Sequence, residues 1–551
     1  MPPLAGRAPG NSPGVENRRI ADHLDALASI LELAEANPYT ARAYRRAAET
    51  IRGAELSVAE VVRSGRAREL RGIGPGIEAR LRELVETGEI AELAELERDL
   101  APDLVGLGRY LGLGAKRSVE LARALGVRTA EELREVAAAG RLQTVPGIGP
   151  KTEARLLEAL ARDAESKPRR GLLLNHAWEL VADVAAALDG EAAGDVRRWR
   201  DSCEQLAVVC AATDPDPVLA SFAALPQVVS LIERQDRDAV GVTVEGVPLR
   251  LVVAEPARLG TALLRATGSP TYVAALGPLP DAPDEESVYG ALDLPWCPPE
   301  LREQPFRGDP PDLVELDEIR GDLHCHSTWS DGRASVEEMA RAAQVRGYDY
   351  LAICDHSPSV GAVRGLTAGD VRRQAEEIAA ANEVLAPFRV LRGIECDILP
   401  DGRLDLPDDV LAELDWVQAS VHGGQRMPRR EMTKRVEEAL RNPSVRCLSH
   451  PTGRYINRRP ENALDLERLF EVALEEGVAL EVNGLASRLD LSGEHVRDAL
   501  HAGVQIVCST DAHSVRGLGN MGLSVATARR GWATAADVVN TRPLQSILHA
   551  R

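Results

Sequence analysis

Gly321-Asp322-Leu323-His324-Cys325-His326-Ser327-Thr328-Trp329-Ser330-Asp331-Gly332 is the stretch on which the reading of this chain turns. Alternate residues of a strand share a face, so the His-x-His pair sends two imidazoles the same way. Ligand-type residues return downstream at the ends of short apolar runs: Asp355-His356, Glu395 in Arg392-Gly393-Ile394-Glu395, Val421-His422, Ser449-His450-Pro451 and Asp511-Ala512-His513. Nine of the eleven histidines lie beyond position 323, and six of those fall in these clusters. One such histidine alone is more often a satisfied core residue than a ligand. Six together, with Asp331, Glu395 and Asp511 to bridge ions and offset charge, point to a multi-metal hydrolase site.

Around these clusters short apolar strands alternate with helical patterns such as Ser335 to Arg346 and Asp465 to Glu476. That alternation predicts a β/α barrel with the ligands at the C-terminal ends of its strands. The whole chain, 551 residues at 44% hydrophobic content, is long enough for several domains with real cores. Aromatics make up only 3%, so packing rests on aliphatics in a helix-rich composition. The eight cysteines form no C-x-x-C pair, and Cys325, Cys354 and Cys508 sit inside strand-like patterns, which predicts buried reduced thiols in a cytoplasmic protein. There is no 18-residue apolar run, and the Pro/Gly-rich start lacks the apolar core of a signal peptide, so a soluble chain with no membrane partner is expected.

A formal net charge of -20 argues against general adhesion to nucleic acid, but local patches can still bind. In Tyr39-Thr40-Ala41-Arg42-Ala43-Tyr44-Arg45-Arg46-Ala47-Ala48 basic and aromatic residues interleave along a helix-forming run; alone, this would read equally well as a solvated helix face. Its neighbour is Leu70-Arg71-Gly72-Ile73-Gly74-Pro75-Gly76-Ile77, followed by the helical Glu78 to Leu84, and a second copy stands at Val145-Pro146-Gly147-Ile148-Gly149-Pro150-Lys151-Thr152. Both resemble helix-hairpin-helix motifs, in which a Gly-x-Gly turn lets backbone N–H groups approach a DNA phosphate. Gly72, Gly74, Gly147 and Gly149, with Arg45 and Arg46, are the candidate DNA contacts, and phosphate contacts of this kind ignore base sequence.

The expected organisation is a disordered tail over 1–15, a helical DNA-binding domain with the first hairpin over 16–98, and a helical segment with the second over 99–165. A mixed α/β core follows over 166–277, with Gln205 to Cys210 and Val247 to Val253 as strands, then a Pro-rich connector over 278–318 and the barrel over 319–551. In this order the chain resembles the bacterial family X DNA polymerases that carry a C-terminal PHP (polymerase and histidinol phosphatase) domain. Pro298-Pro299-Glu300-Leu301-Arg302-Glu303 is similar to that family's linker, and Ser420-Val421-His422, Leu448 to Arg454, Thr510 to His513 and Asn540-Thr541-Arg542-Pro543-Leu544 fit its PHP motifs. The resemblance implies helical hairpin domains, a nucleotidyltransferase α/β core and a distorted β/α barrel of PHP type. It further implies three metal ions, manganese or zinc. His324, His326, Glu395 and Asp511 would hold one, Glu395, His422 and His450 a second, and Asp331, His356 and His513 a third; the catalytic residues would be His324, His326, Glu395 and Asp511. Such metals lower the pKa of water and clamp phosphate oxygens, so phosphoester hydrolysis is the implied reaction.

The core departs from the family pattern. Gly194-Asp195-Val196-Arg197-Arg198 resembles its Gly-Ser-x-Arg-Arg segment with an acid where the triphosphate is cradled. The D-x-D positions fall on Gln205 and Ala207 and the third aspartate position on Pro248; Asp201, Asp214 and Asp216 leave another register open. Nucleotide transfer with two magnesium ions needs those carboxylates, so the core reads as degenerate. The family's Schiff-base lysine corresponds to Arg80, whose guanidinium stays protonated and cannot serve as that nucleophile. The expected function is therefore a DNA-directed, metal-dependent phosphoesterase in DNA repair, a 3′–5′ exonuclease or 3′-end-processing enzyme. The alternatives are an active gap-filling polymerase, a histidinol-phosphate-type phosphatase and a non-catalytic DNA scaffold.

Overall fold

The computed structural model describes residues 171–548 apart from 244, 307, 361 and 362, and, before them, residues 17, 20, 21, 23, 24, 27, 38–52, 57–70, 72–87, 90, 125, 136 and 140–142. The 1–15 tail, most of the 99–165 segment and the second hairpin with Gly147 and Gly149 lie outside the described residues.

Helix α1 (Pro38–Arg52) buries Tyr44, Ala47, Ala48 and Ile51, a spacing that places them on one face. Arg45 and Arg46 both fall in it, and Arg46 is exposed. Helix α2 (Val58–Arg63) starts where Ser57 Oγ accepts the Glu60 N–H at 3.3 Å. The chain then turns through Gly72, at φ +86°, into α3 (Pro75–Thr87), where proline occupies a first-turn position that needs no N–H. A Cβ at Gly72 or Gly74 would meet nothing within 4 Å, so the turn's backbone is open to approach.

The α/β core begins with α4 (Leu174–Ala187), which packs Leu174, Ala177, Val181 and Val184 against a five-stranded sheet. Its strands are β1 (Gly190–Gly194), β2 (Leu206–Ala211), β3 (Val228–Arg234), β4 (Asp238–Thr243) and β5 (Pro248–Ala254), in the order β1-β2-β5-β4-β3. Only β2 and β5 run parallel. On the other face α5 (Leu259–Thr267) sets Leu263 against Ala193, Ala207 and Val209. The connector adds its own cluster, Tyr289, Cys297 and Leu301 packing with Leu264 and Tyr272.

Apart from the short antiparallel pair Leu172–Leu173 and Ser202–Cys203, the other strands form one parallel sheet in sequence order: β6 (Gly321–Cys325), β7 (Tyr350–Ile353), β8 (Arg389–Asp397), β9 (Trp416–Ser420), β10 (Cys447–Leu448), β11 (Ala479–Asn483) and β12 (Ile506–Ser509). The first and last come together, since Asp511 N donates to His324 O at 3.0 Å and His326 N to Ala512 O at 2.8 Å. The result is a nearly closed seven-stranded barrel. Its strands are largely buried, covered on one face by the barrel interior and on the other by the helices outside, and the polar residues they carry, such as Asp322, His324, Glu395, Gln418 and Glu481, are buried with them. The helices anticipated in sequence occur as Val336–Val345, with a Ser335/Glu338 capping box, and Leu466–Glu476, which stops at Gly477 in the left-handed region.

Candidate metal centre

Every ligand-type cluster of the sequence arrives at one end of the barrel, because each follows or ends a parallel strand. His324 lies in β6 and His326 just beyond it; His356 follows β7, Glu395 lies in β8, and His422, His450, Asp511 and His513 follow β9, β10 and β12. Asp331 comes from the loop after β6. That loop folds back tightly: a Cβ at Gly332 would stand 2.7 Å from the His326 carbonyl, so a glycine is required there. His450 and Asp511 adopt left-handed φ values of 29° and 52°, an unusual conformation that the surrounding contacts must hold.

Glu395 is the hub. Its Oε1 lies 2.8 Å from His450 Nε2 and 3.3 Å from His422 Nε2; its Oε2 lies 2.8 Å from His356 Nδ1, 3.5 Å from His324 Nε2 and 3.7 Å from His326 Nε2. Asp511 Oδ1 is 3.1 Å from His326 Nε2 and 3.8 Å from His324 Nε2, and Asp331 Oδ2 is 3.2 Å from His513 Nε2. Three groups have donor atoms within 4.8 Å of one another: His326, Asp331, His356 and His513; His324, His326 and Asp511; and His356, Glu395 and His422. The divisions differ from the sequence expectation in that His326 also joins Asp331, His356 also joins Glu395, Glu395 is absent from the group of His324 and Asp511, and His450 falls in none of the three, facing Glu395 Oε1 instead.

The donor set fits divalent cations. Among the described residues His324 Nε2, His326 Nδ1 and His356 Nδ1 are buried without a well-aligned hydrogen bond, although His356 Nδ1 and His324 Nε2 face Glu395 Oε2, an arrangement costly for imidazoles with no cation to bind. Burial would push the Glu395 and Asp511 carboxyls up, but the surrounding histidines outweigh it and hold both well below the usual range. Burial and the neighbouring His513 and His356 push His326 down to about 3, leaving it a neutral donor. His422, despite burial, is raised to about 10 by Glu395 and Asp397, and His513 to about 9 by Asp331 and Asp511. Both therefore carry protons at neutral pH that a metal must displace. Manganese affinity is expected to rise steadily from pH 6 to pH 9, with proton release on binding, as calorimetry in buffers of different ionisation enthalpy would show; a pH-independent affinity would contradict it.

Several supporting residues escaped the sequence reading. Glu481, the one charge in the run Val478 to Val482, is fully buried; its Oε1 lies 2.6 Å from His324 Nδ1, and its oxygens accept Ser509 Oγ at 2.5 Å, Ser449 Oγ at 2.9 Å and His450 N at 2.6 Å. It thus directs His324 Nε2 toward the site. Asp397 accepts the His422 N–H at 2.9 Å, and Asn483 Nδ2 donates to Asp511 Oδ2 at 3.0 Å. Arg488, buried, brings its Nε to 3.9 Å from Asp511 Oδ2, with no hydrogen-bond partner among the described residues. A lone charge in an apolar strand was a readable signal for Glu481; nothing local marked Arg488. Glu481→Gln is expected to weaken metal affinity about 10- to 100-fold. Equilibrium dialysis against manganese measures this, and unchanged affinity would remove Glu481 from the site.

Comparison with known proteins gives a consistent frame. A family model described as a PHP domain matches residues 322–484, a helix-hairpin-helix domain matches 15–90, and a SAM-like helix-hairpin-helix tandem matches 111–162. The chain is 36% identical over 559 residues to the "DNA polymerase/3'-5' exonuclease PolX" of Bacillus subtilis, covering 95% of this chain and 97% of that protein. It is also 34% identical over 204 residues to a "Probable phosphatase" of Acetivibrio thermocellus, spanning 35% of this chain and 78% of the relative. A Thermoanaerobacter protein named a probable phosphatase is 28% identical over 233 residues, 40% of this chain and 89% of its own.

Proposed function

Because the chain belongs to the bacterial family X DNA polymerases with a C-terminal PHP domain, we propose that it hydrolyses DNA phosphoesters as a 3′–5′ exonuclease or 3′-end-processing enzyme in DNA repair. The carrying observation is the convergence of six histidines and three carboxylates at the barrel's C-terminal end, in a chain that also holds helical hairpins. The proposed ligands are His324, His326, Asp331, His356, Glu395, His422, His450, Asp511 and His513, holding up to three manganese or zinc ions. Bound metals of this kind lower the pKa of water and neutralise charge on the phosphoryl oxygens. The protein's own residues fix the geometry: Glu481 sets the face His324 presents, Asp397 anchors the backbone of His422, and Arg488 offers an N–H to a phosphate oxygen. The proposed domain boundaries are those expected from sequence, and the proposed location is the cytoplasm, supported by eight free, buried cysteines. Among the described residues no helix is long and apolar enough to cross a membrane.

We read the core as inactive in nucleotide transfer. Asp195 accepts the backbone N–H groups of Glu204 and Gln205, both at 2.7 Å, and pairs with Arg198, so a carboxylate occupies the anion-binding turn. Arg197 is paired with Glu285 at 2.8 Å. Ala207 is packed among Ala193, Val209 and Leu263, and Pro248 opens β5 opposite Val242. The acids that left another register open are not on strands: Asp214 sits in a turn, Asp216 begins a helix, and Asp201 is ion-paired to Arg454 and Arg530.

The deciding experiment incubates purified protein and manganese with 3′-labelled and 5′-labelled DNA, beside histidinol phosphate. Early release of the 3′ label, with a ladder from 5′-labelled DNA, is the expected result. Intact DNA with rapid monoester cleavage would establish the small-molecule phosphatase instead. Replacing Gly72 and Gly74 with valine should weaken binding of arbitrary DNA sequences about tenfold, since Gly72 needs a left-handed φ and both N–H groups need an open approach. Binding should also fall steeply with added salt. Fluorescence anisotropy tests both, and salt-independent or sequence-selective binding would count against the model.

A further inference from the structure

Asp201 lies in the core, just before the short strand Ser202–Cys203, yet both of its ion-pair partners belong to the barrel. Its Oδ2 accepts Arg454 Nη2 at 2.7 Å, and Oδ1 pairs with Arg530. Burial would raise its carboxyl, but the two guanidiniums outweigh it and keep Asp201 ionised. Arg454 in turn grips the loop after β11: Nε donates to Arg488 O at 2.9 Å, and Nη2 also reaches Leu489 O. Leu489 holds φ at 42°, a left-handed conformation that costs a non-glycine residue on the order of 1 kcal/mol or more. Its side chain is fully buried in the core's hydrophobic cluster, not the barrel's. The residue before it is Arg488, whose guanidinium stacks 4.5 Å from the Tyr455 ring centroid, with Arg459 4.7 Å from the same ring. Arg488 is therefore aimed by three things at once: a carbonyl held by Arg454, a neighbour plugged into the core, and an aromatic face.

We propose that the core domain is a structural part of the phosphoester site, with Asp201, acting through Arg454, positioning Arg488 to grip the substrate phosphate. This rests on the phosphoesterase reading above. It gives a physical reason for a core without transfer chemistry to remain folded against the barrel: withdrawing Asp201 and the cluster around Leu489 frees the backbone that carries the guanidinium.

The test uses the full-length, manganese-loaded protein and the variants Asp201→Asn, Arg454→Lys, Arg488→Ala and the Asp201→Asn/Arg488→Ala pair. Hydrolysis of bis(p-nitrophenyl) phosphate and calorimetric binding of inorganic phosphate are measured on each. Arg488→Ala should raise KM and weaken phosphate binding roughly 10- to 100-fold, and Asp201→Asn about tenfold, with kcat changed less than KM. In the Arg488→Ala background, Asp201→Asn should cost nothing further, which a merely structural role would not produce. Equal losses in both backgrounds, or unchanged KM and phosphate affinity in Asp201→Asn, would overturn the proposal. If Asp201→Asn does not fold, Arg454→Lys with and without Arg488→Ala makes the same comparison. If the parent protein cleaves no phosphoester, the function reading fails, while the phosphate-binding comparison still decides the role of Asp201.

Discussion

Alanine at both His324 and His326 is expected to lower phosphoester hydrolysis by on the order of 10³-fold or more, with loss of bound metal and nearly unchanged DNA binding. The size follows from placement. His324 Nε2 and His326 Nε2 face both Asp511 Oδ1 and Glu395 Oε2, so removing them strips the nitrogen donors from one group and leaves two buried carboxylates opposing each other. The hairpin turn at Gly72 and Gly74 belongs to a separate helical segment and should keep its affinity. Metal analysis, hydrolysis rate and fluorescence anisotropy on one preparation measure the three effects. Full hydrolysis by the double variant would reject the metal assignment; lost DNA binding would mean that the barrel, not the hairpin region, holds the DNA.

No templated nucleotide addition on gapped DNA is expected from this core with magnesium or manganese, even with the barrel site disabled so that products survive. Gln205, Ala207 and Pro248 supply no carboxylate at the positions that the family resemblance assigns to magnesium. Returning aspartate at all three positions should not restore extension. Asp195 already satisfies the Glu204 and Gln205 N–H groups and would repel a triphosphate, and Arg197 and Arg198 are engaged by Glu285, Asp195 and Glu303. An Ala207→Asp carboxylate would also arrive beside Leu263, in an apolar cluster that makes ionisation costly. Primer extension measured on the His324→Ala/His326→Ala background is decisive: measurable templated products would show that the core keeps its chemistry.

The barrel and the helical hairpin were legible from local pattern. Buried parallel strands are mostly apolar, so a run of histidines and acids recurring at their ends has few structural reasons to be there, and Ser335 and Gly72 mark a helix start and a turn by their own conformational preferences. The strand candidates in the core were found within one residue, Leu206–Ala211 and Pro248–Ala254, because their apolar runs are bounded by polar or turn residues. Which ligand faces which was not legible: His326 serves Asp331 as well as Asp511, and His356 turns to Glu395, through side-chain directions that depend on barrel closure. Glu481, Asp397 and Arg488 acquire their roles only from partners on other strands. In sequence Asp201 was one of three acids that left another register of the core open, whereas folding gives it Arg454 and Arg530, more than 250 residues away in the chain. The sequence by itself determined the elements, the types of the candidate ligands and the non-acidic side chains of Gln205, Ala207 and Pro248, since these follow from short-range periodicity and side-chain chemistry. The tertiary structure alone decided the grouping of the ligands and the link from core to barrel, because charge pairing and burial arise only when distant segments share one low-dielectric space.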